Sequence, residues 1–178
     1  PTYLGAVQAF TAYQAEYVTV PIDDDGLQME GLEEQLRAGP KFLYILPNFQ
    51  NPAGVTLSLA RRRRLIELAN HYGAPIVEDD PYGALRWSGT RRAALSTLSD
   101  RVVTLGTTSK VLAPGLRVGW AVAPAPLAAR LVVLKQATDL HTASLTHRLI
   151  ARTPRASARS LLSQRRQHPP DSGALSVV

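Results

Sequence analysis

The sequence predicts an α/β fold: a mainly parallel sheet with flanking helices. Three observations carry this. Segments rich in β-formers alternate with segments of helical period along residues 1–150. Lys41–Leu46 is a near-continuous apolar run, the pattern of a strand buried on both faces. Polar residues also collect directly after successive strands, where open sheets of this class hold their ligands. At 178 residues the chain is long enough for one real core.

The elements follow in order. Glu16–Ile22 is rich in β-formers and is expected as the first strand, broken by the turn chemistry of Asp23-Asp24-Asp25-Gly26. Met29–Ala38 has apolar residues at 29, 32 and 36, a short amphipathic helix that Gly39-Pro40 stops. The strand at Lys41–Leu46 leads into a loop punctuated by Pro47, Pro52 and Gly54. Leu57–Tyr72 is a second helix with Leu65, Ile66 and Leu68 as its apolar stripe, ended by Gly73. Ala74–Val77 is the next strand, with Glu78-Asp79-Asp80-Pro81-Tyr82 at its carboxyl end. Arg101–Leu105 is another, followed by Gly106-Thr107-Thr108-Ser109-Lys110. Leu116–Ala123 reads as a strand, and Pro126–Leu140 as a helix with Leu127, Leu131, Val132 and Leu134 on its apolar side. From Arg152 the pattern lapses into Pro, Arg and Ser. There we expect at most a short helix at Ser160–Gln167 and otherwise disorder. The chain thus divides into a structured region, 1–150, and an Arg/Pro/Ser-rich tail, 151–178.

Composition narrows the function classes. With no cysteine, disulfide scaffolds, Cys-zinc sites and thiol catalysis are excluded, and no metal site is expected. No apolar run reaches the roughly eighteen residues of a membrane helix. The start, Pro1-Thr2-Tyr3-Leu4-Gly5, lacks the features of a leader peptide and points to a fragment or processed chain, with a cytoplasmic location expected. The net charge of +6 is uneven: residues 1–150 carry 15 basic and 13 acidic side chains, and the tail carries 5 arginines against 1 aspartate. This is a near-neutral domain with a basic end, and nucleic acid is not expected as a partner. Arg61–Arg64 turn through about 400° of helix, so they face all round and read as a solvated helix start. His71 and His141 read as surface or structural histidines, and Trp87 and Trp120 as packing residues.

Asn51 follows one buried strand, Asp79 and Tyr82 the next, and Lys110 a third. Three loops would therefore bring an amide, a carboxylate, a phenol and an amine to one crevice. Lys110 is flanked by the hydroxyls of Thr107, Thr108 and Ser109 on one side and by Arg117 on the other. Hydroxyls and a guanidinium are good phosphate ligands, and a neighbouring amine can form a Schiff base with a carbonyl on the same ligand. The common cofactor that joins an aldehyde to a phosphate is pyridoxal 5'-phosphate (PLP). A carboxylate such as Asp79 would pair with its ring nitrogen, and Tyr82 and Asn51 would serve its ring hydroxyl.

These segments resemble a known family. Pro47-Asn48-Phe49-Gln50-Asn51-Pro52-Ala53-Gly54 resembles the NPTG-type loop of class I/II, fold type I aminotransferases. Glu78–Tyr82 is similar to their EDDPY segment, and Thr107–Lys110 with Pro114-Gly115-Leu116-Arg117-Val118-Gly119 to their SFSK…PGLRxG signature. Within the family the chain looks most like the 2-aminoadipate, kynurenine and MocR-like branch. The resemblance implies that Lys110 carries the cofactor and shuttles the substrate proton. It implies that Asp79 pairs with the ring nitrogen, and that Tyr82 and Asn51 bond the ring oxygen. Thr107, Ser109 and Arg117 would bind the phosphate, and Tyr3 and Asn51 would face substrate. A carboxylate beside a cationic ring is expected to have a lowered pKa, and a freed Lys110 must be neutral to act as base, a state that burial favours.

The implied reaction moves an amino group between an amino acid and a 2-oxo acid, in a homodimer. Family members are longer at both ends, and their missing parts supply the rest of the phosphate cup and the arginine for the substrate carboxylate. This chain alone is therefore expected to be impaired, and an uncovered interface would favour aggregation. Two other readings stand beside it. One is the effector-sensing domain of a MocR-type transcriptional regulator, although no helix-turn-helix lies within these residues. The other is a non-functional remnant.

Overall fold

The structure, a computed structural model, describes residues 2–86 and 88–153. Pro1, Trp87, the short helix expected at Ser160–Gln167 and the disorder expected in the tail lie outside the described residues. The elements run α1 (Leu4–Thr11), β1 (Ile22–Asp23), β2 (Gly26–Leu27), α2 (Met29–Arg37), β3 (Leu43–Ile45), α3 (Leu59–His71), β4 (Ile76–Asp79), β5 (Val102–Thr107), β6 (Gly119–Val122), α4 (Ala125–Asp139) and α5 (Ser144–Arg152).

A four-stranded sheet has the order β3-β4-β5-β6. The first three strands are parallel and β6 is antiparallel to β5. The α/β class and the mainly parallel sheet therefore hold. Parallel neighbours need crossover connections, and α3 supplies the one between β3 and β4. The core lies between the sheet and the pair α2–α3, built from Leu32, Leu36, Leu65, Ile66, Leu68, Ala69, Ile76, Leu95 and Val102. Ser58 caps α3 by accepting a hydrogen bond from the Arg61 backbone N–H, and Gly73, at φ +69°, takes the left-handed turn beyond its end.

Several expectations are corrected. The strand expected at Glu16–Ile22 shrinks to a two-residue arm of a small hairpin, Ile22–Asp23 against Gly26–Leu27. Residues 15–21 form no strand. The strand at Lys41–Leu46 shortens to Leu43–Ile45 and is half-buried, because β3 is an edge strand among the described residues. Helix α4 buries none of its residues: Leu127, Leu131, Val132 and Leu134 are all exposed, since the described residues place nothing over that face. Helix α5 was not foreseen, and it crosses the boundary drawn at residue 150. Among the described residues no helix is long and apolar enough to cross a membrane, and no cluster of three or more His, Asp or Glu could hold a metal ion.

Candidate active site

Strand alternation assigns the two strand acids of Glu78-Asp79-Asp80 to different tasks. Glu78 faces the core and is fully buried. It accepts hydrogen bonds from the Leu95 N–H at 3.0 and 3.1 Å and from the Thr104 hydroxyl at 3.0 Å. Asp79 faces the other side at the carboxyl end of β4. Asp80 accepts the Gly83 N–H at 2.9 Å and fixes the turn that carries Tyr82.

Asp79 is half-buried, and the Tyr44 hydroxyl donates to its Oδ2 at 2.5 Å. Burial pushes the Asp79 carboxyl above the usual carboxylate range, the nearby Asp80 charge adds to this, and the bond from Tyr44 opposes it. In the chain by itself the shift thus runs opposite to that expected beside a cation. Tyr44 is pushed up as well, by burial first, then by Asp79, with Tyr3 and Tyr82 contributing. Tyr3, Tyr44, Asp79 and Tyr82 therefore share one neighbourhood. Tyr3 begins α1 and folds its ring over Gly5, where a Cβ would lie 2.6 Å from the ring. Lys110 Nζ stands 6.0 Å from the centre of the Tyr82 ring, a cation–π approach that ties the β4 and β5 loops together. Lys110 is exposed rather than buried among the described residues.

The hydroxyls after β5 divide. Thr107 Oγ1 donates to Ser109 Oγ at 3.0 Å and accepts from the Ser109 N–H at 3.1 Å, so these two form a pair. Thr108 is buried and donates both its N–H (3.0 Å) and its hydroxyl (3.1 Å) to the Val118 carbonyl. It fastens the end of β5 to the segment entering β6 rather than offering a free ligand. Arg117 adjoins Val118 in a left-handed conformation, φ +50°, with its Nη1 donating to the Pro114 carbonyl at 3.1 Å. It is exposed and lines a cleft of about 410 Å³ shared with Lys135, Asp139 and His141. Asn51 lies half-buried in the loop after β3. Among the described residues no hydrogen bond joins its side-chain amide to Asp79 or Tyr82.

Two residues escaped the sequence reading. One is Tyr44, absorbed into an apolar run. The other is Arg62, which is not solvated at all: it is wholly buried, and it donates to the carbonyls of Leu57 (3.0 Å), Ala93 (2.9 Å) and Pro47 (2.8 Å) and to Asn48 Oδ1 (2.7 Å). It grips the start of the loop that carries Asn51. A signal existed: Arg62 is in phase with Leu65, Ile66 and Ala69, all buried on one face of α3. Arg61 pairs with Asp23 and Arg64 with Glu33 and Glu67, so only part of the four-arginine row is a solvated face. Trp120 does pack, its ring lying across Gly106, although it stays half-exposed.

Comparison with known proteins adds an independent line. The family described as aminotransferase class I and II matches residues 1–168. The chain is 47% identical over 150 residues to aromatic-amino-acid aminotransferase 1 of Thermococcus litoralis, covering 80% of this chain and 36% of that protein. It is 42% identical over 156 residues to the 2-aminoadipate transaminase of Thermus thermophilus, covering 84% and 39%. Among solved structures, Pyrococcus horikoshii kynurenine aminotransferase, determined with PMP, superposes with a TM-score of 0.89 at 41% identity over 94% of this chain and 44% of that one. The chain spans well under half the length of these proteins.

Proposed function

The chain belongs to the class I and II aminotransferases, and from that premise we propose that it forms part of an enzyme that moves an amino group from an amino acid to a 2-oxo acid with PLP as cofactor. The observation that carries this is the meeting of a half-buried carboxylate, Asp79 at the carboxyl end of β4, with Tyr44 of β3 and with Tyr3 and Tyr82, together with the approach of Lys110, after β5, to the Tyr82 ring. The donor set fits the cofactor: a carboxylate for the ring nitrogen, a phenol and an amide for the ring oxygen, a hydroxyl pair and a guanidinium for the phosphate, and an amine for the aldehyde.

When bound, PLP supplies an electron-withdrawing ring that stabilises negative charge at the substrate Cα. The chain's residues do the rest. Asp79, as a carboxylate, holds the ring nitrogen protonated. Tyr82 and Asn51 donate to the ring oxygen. Thr107, Ser109 and Arg117 bind the phosphate. Lys110 anchors the cofactor and then moves a proton at the substrate Cα. Tyr3 borders the substrate. We read the protein as a cytoplasmic homodimer that acts on aromatic amino acids, 2-aminoadipate or kynurenine, the substrates in its relatives' names. The regulator reading draws less support, since the two HTH-type transcriptional regulators of Bacillus subtilis among the relatives are 34% and 33% identical to the chain, against 47% and 42% for the two aminotransferases.

The test is a single-turnover assay on the PLP-loaded full-length parent of this chain with an aromatic amino acid, 2-aminoadipate or kynurenine. The expected result is pyridoxamine 5'-phosphate in step with the matching 2-oxo acid. Cofactor binding with no conversion by any of them would favour the sensor reading instead.

A further inference from the structure

We infer that Tyr44 is a positioning residue for Asp79, orienting its carboxylate and keeping its charge available to a cationic ring nitrogen. This rests on the reading of Asp79 given above and adds a residue that the site motifs do not contain.

The geometry begins with register. Tyr44 pairs with Val77 in the parallel β3–β4 ladder, so Tyr44, Val77 and Asp79 project from the same face of the sheet. The long phenol bridges the remaining distance along the strand and ends 2.5 Å from Asp79 Oδ2. Its ring is fixed from the side by Phe10 of α1, in an edge contact at 5.4 Å and 77°. Among the described residues the side-chain hydrogen bond to Asp79 comes from Tyr44.

The identity of that donor matters. An arginine or lysine in its place would neutralise Asp79 and leave little charge for a ligand. A phenol orients one carboxylate oxygen and leaves the negative charge uncompensated, with the other oxygen available. The groups facing this pair are Asp80 beyond β4, Tyr82 in the following turn and Tyr3 at the start of α1. Burial and Asp80 both favour the neutral acid, whereas the Tyr44 bond favours the carboxylate. Buried in this way, Tyr44 stays protonated and keeps its donor role.

The test is Tyr44→Phe, which removes one oxygen. In the ligand-free chain, carboxyl NMR should show the Asp79 titration midpoint moving up by about one pH unit. PLP affinity should fall roughly tenfold or more at neutral pH, since hydrogen bonds to charged groups are among the stronger ones. As pH is lowered, the loss of binding should begin at a higher pH than in the parent chain, because a carboxylate without its donor protonates sooner. In an Asp79→Asn background, Tyr44→Phe should cost nothing further, whereas a merely structural role would add its loss to the first. Should Tyr44→Phe unfold the chain, 3-fluorotyrosine at position 44, a near-isosteric and stronger donor, should move the Asp79 midpoint down. An unmoved midpoint in either variant overturns the inference. PLP affinity unaffected by Asp79→Asn would instead defeat the cofactor reading of Asp79, and the ligand-free titration would still decide the role of Tyr44.

Discussion

Lys110→Ala is expected to abolish covalent retention of PLP and to slow amino transfer by about 10³-fold, the middle of the range for loss of a positioned acid–base group. The expectation follows from placement. Lys110 follows β5 on a turn that begins with the Thr107–Ser109 hydroxyl pair, and its amine stands over the Tyr82 ring. The proposed phosphate ligands and the amine thus come from one short segment, so a ligand held at one end would present its other end to the lysine. Lys110→Arg separates charge from chemistry: it keeps a cation beside Tyr82 but should be as defective as the alanine variant. Single-turnover rates for the three proteins, measured with one amino acid, check this. Recovery of more than a tenth of the rate in the arginine variant would argue against proton transfer by Lys110.

The second large effect is on the scaffold. Arg62→Ala should destabilise the chain by about 3–5 kcal/mol, because several buried acceptors lose their donor at about 1–3 kcal/mol each and the large side chain leaves a void. The guanidinium satisfies the Leu57, Ala93 and Pro47 carbonyls and Asn48 Oδ1, and all but the exposed Ala93 would be left in a dry interior. A domain stable by about 5–15 kcal/mol loses a large fraction of its margin in this way. Arg62→Lys should recover only part of the loss, since an ammonium cannot reproduce the planar fork that meets four acceptors at once. Urea unfolding monitored by far-UV circular dichroism measures both variants. A loss below about 1 kcal/mol for the alanine variant would mean that water replaces the guanidinium, and that Arg62 does not fix the loop.

The fold was legible where periodicity and punctuation agree. Helix α3 lies within the predicted span because Ser58 caps one end, Gly73 closes the other, and Leu65, Ile66 and Leu68 set its buried side. The parallel core could be read from apolar runs followed by polar loops. Arg62 was hidden because a row of four arginines looks uniformly solvated, although helical phase alone distinguishes the one aligned with Leu65 and Ala69. Tyr44 was hidden because its contact with Asp79 depends on which strands are neighbours and in what register, information a single strand does not carry. Glu78 and Asp79 are adjacent in the sequence, and only the pleat separates a core acid from a site acid. The exposure of α4 has a different cause: its apolar residues lie on several sides of the helix, and no described residue covers them.

The central claim is that the loops after β3, β4 and β5 form one PLP site centred on Lys110. The direct measurement is to incubate the chain with PLP, fix any covalent adduct with borohydride and map the phosphopyridoxyl group by peptide mass. The account predicts label on Lys110, with Lys41 and Lys135 essentially free of it. Equal labelling of Lys41 or Lys135, or an unchanged total in Lys110→Ala, would contradict it.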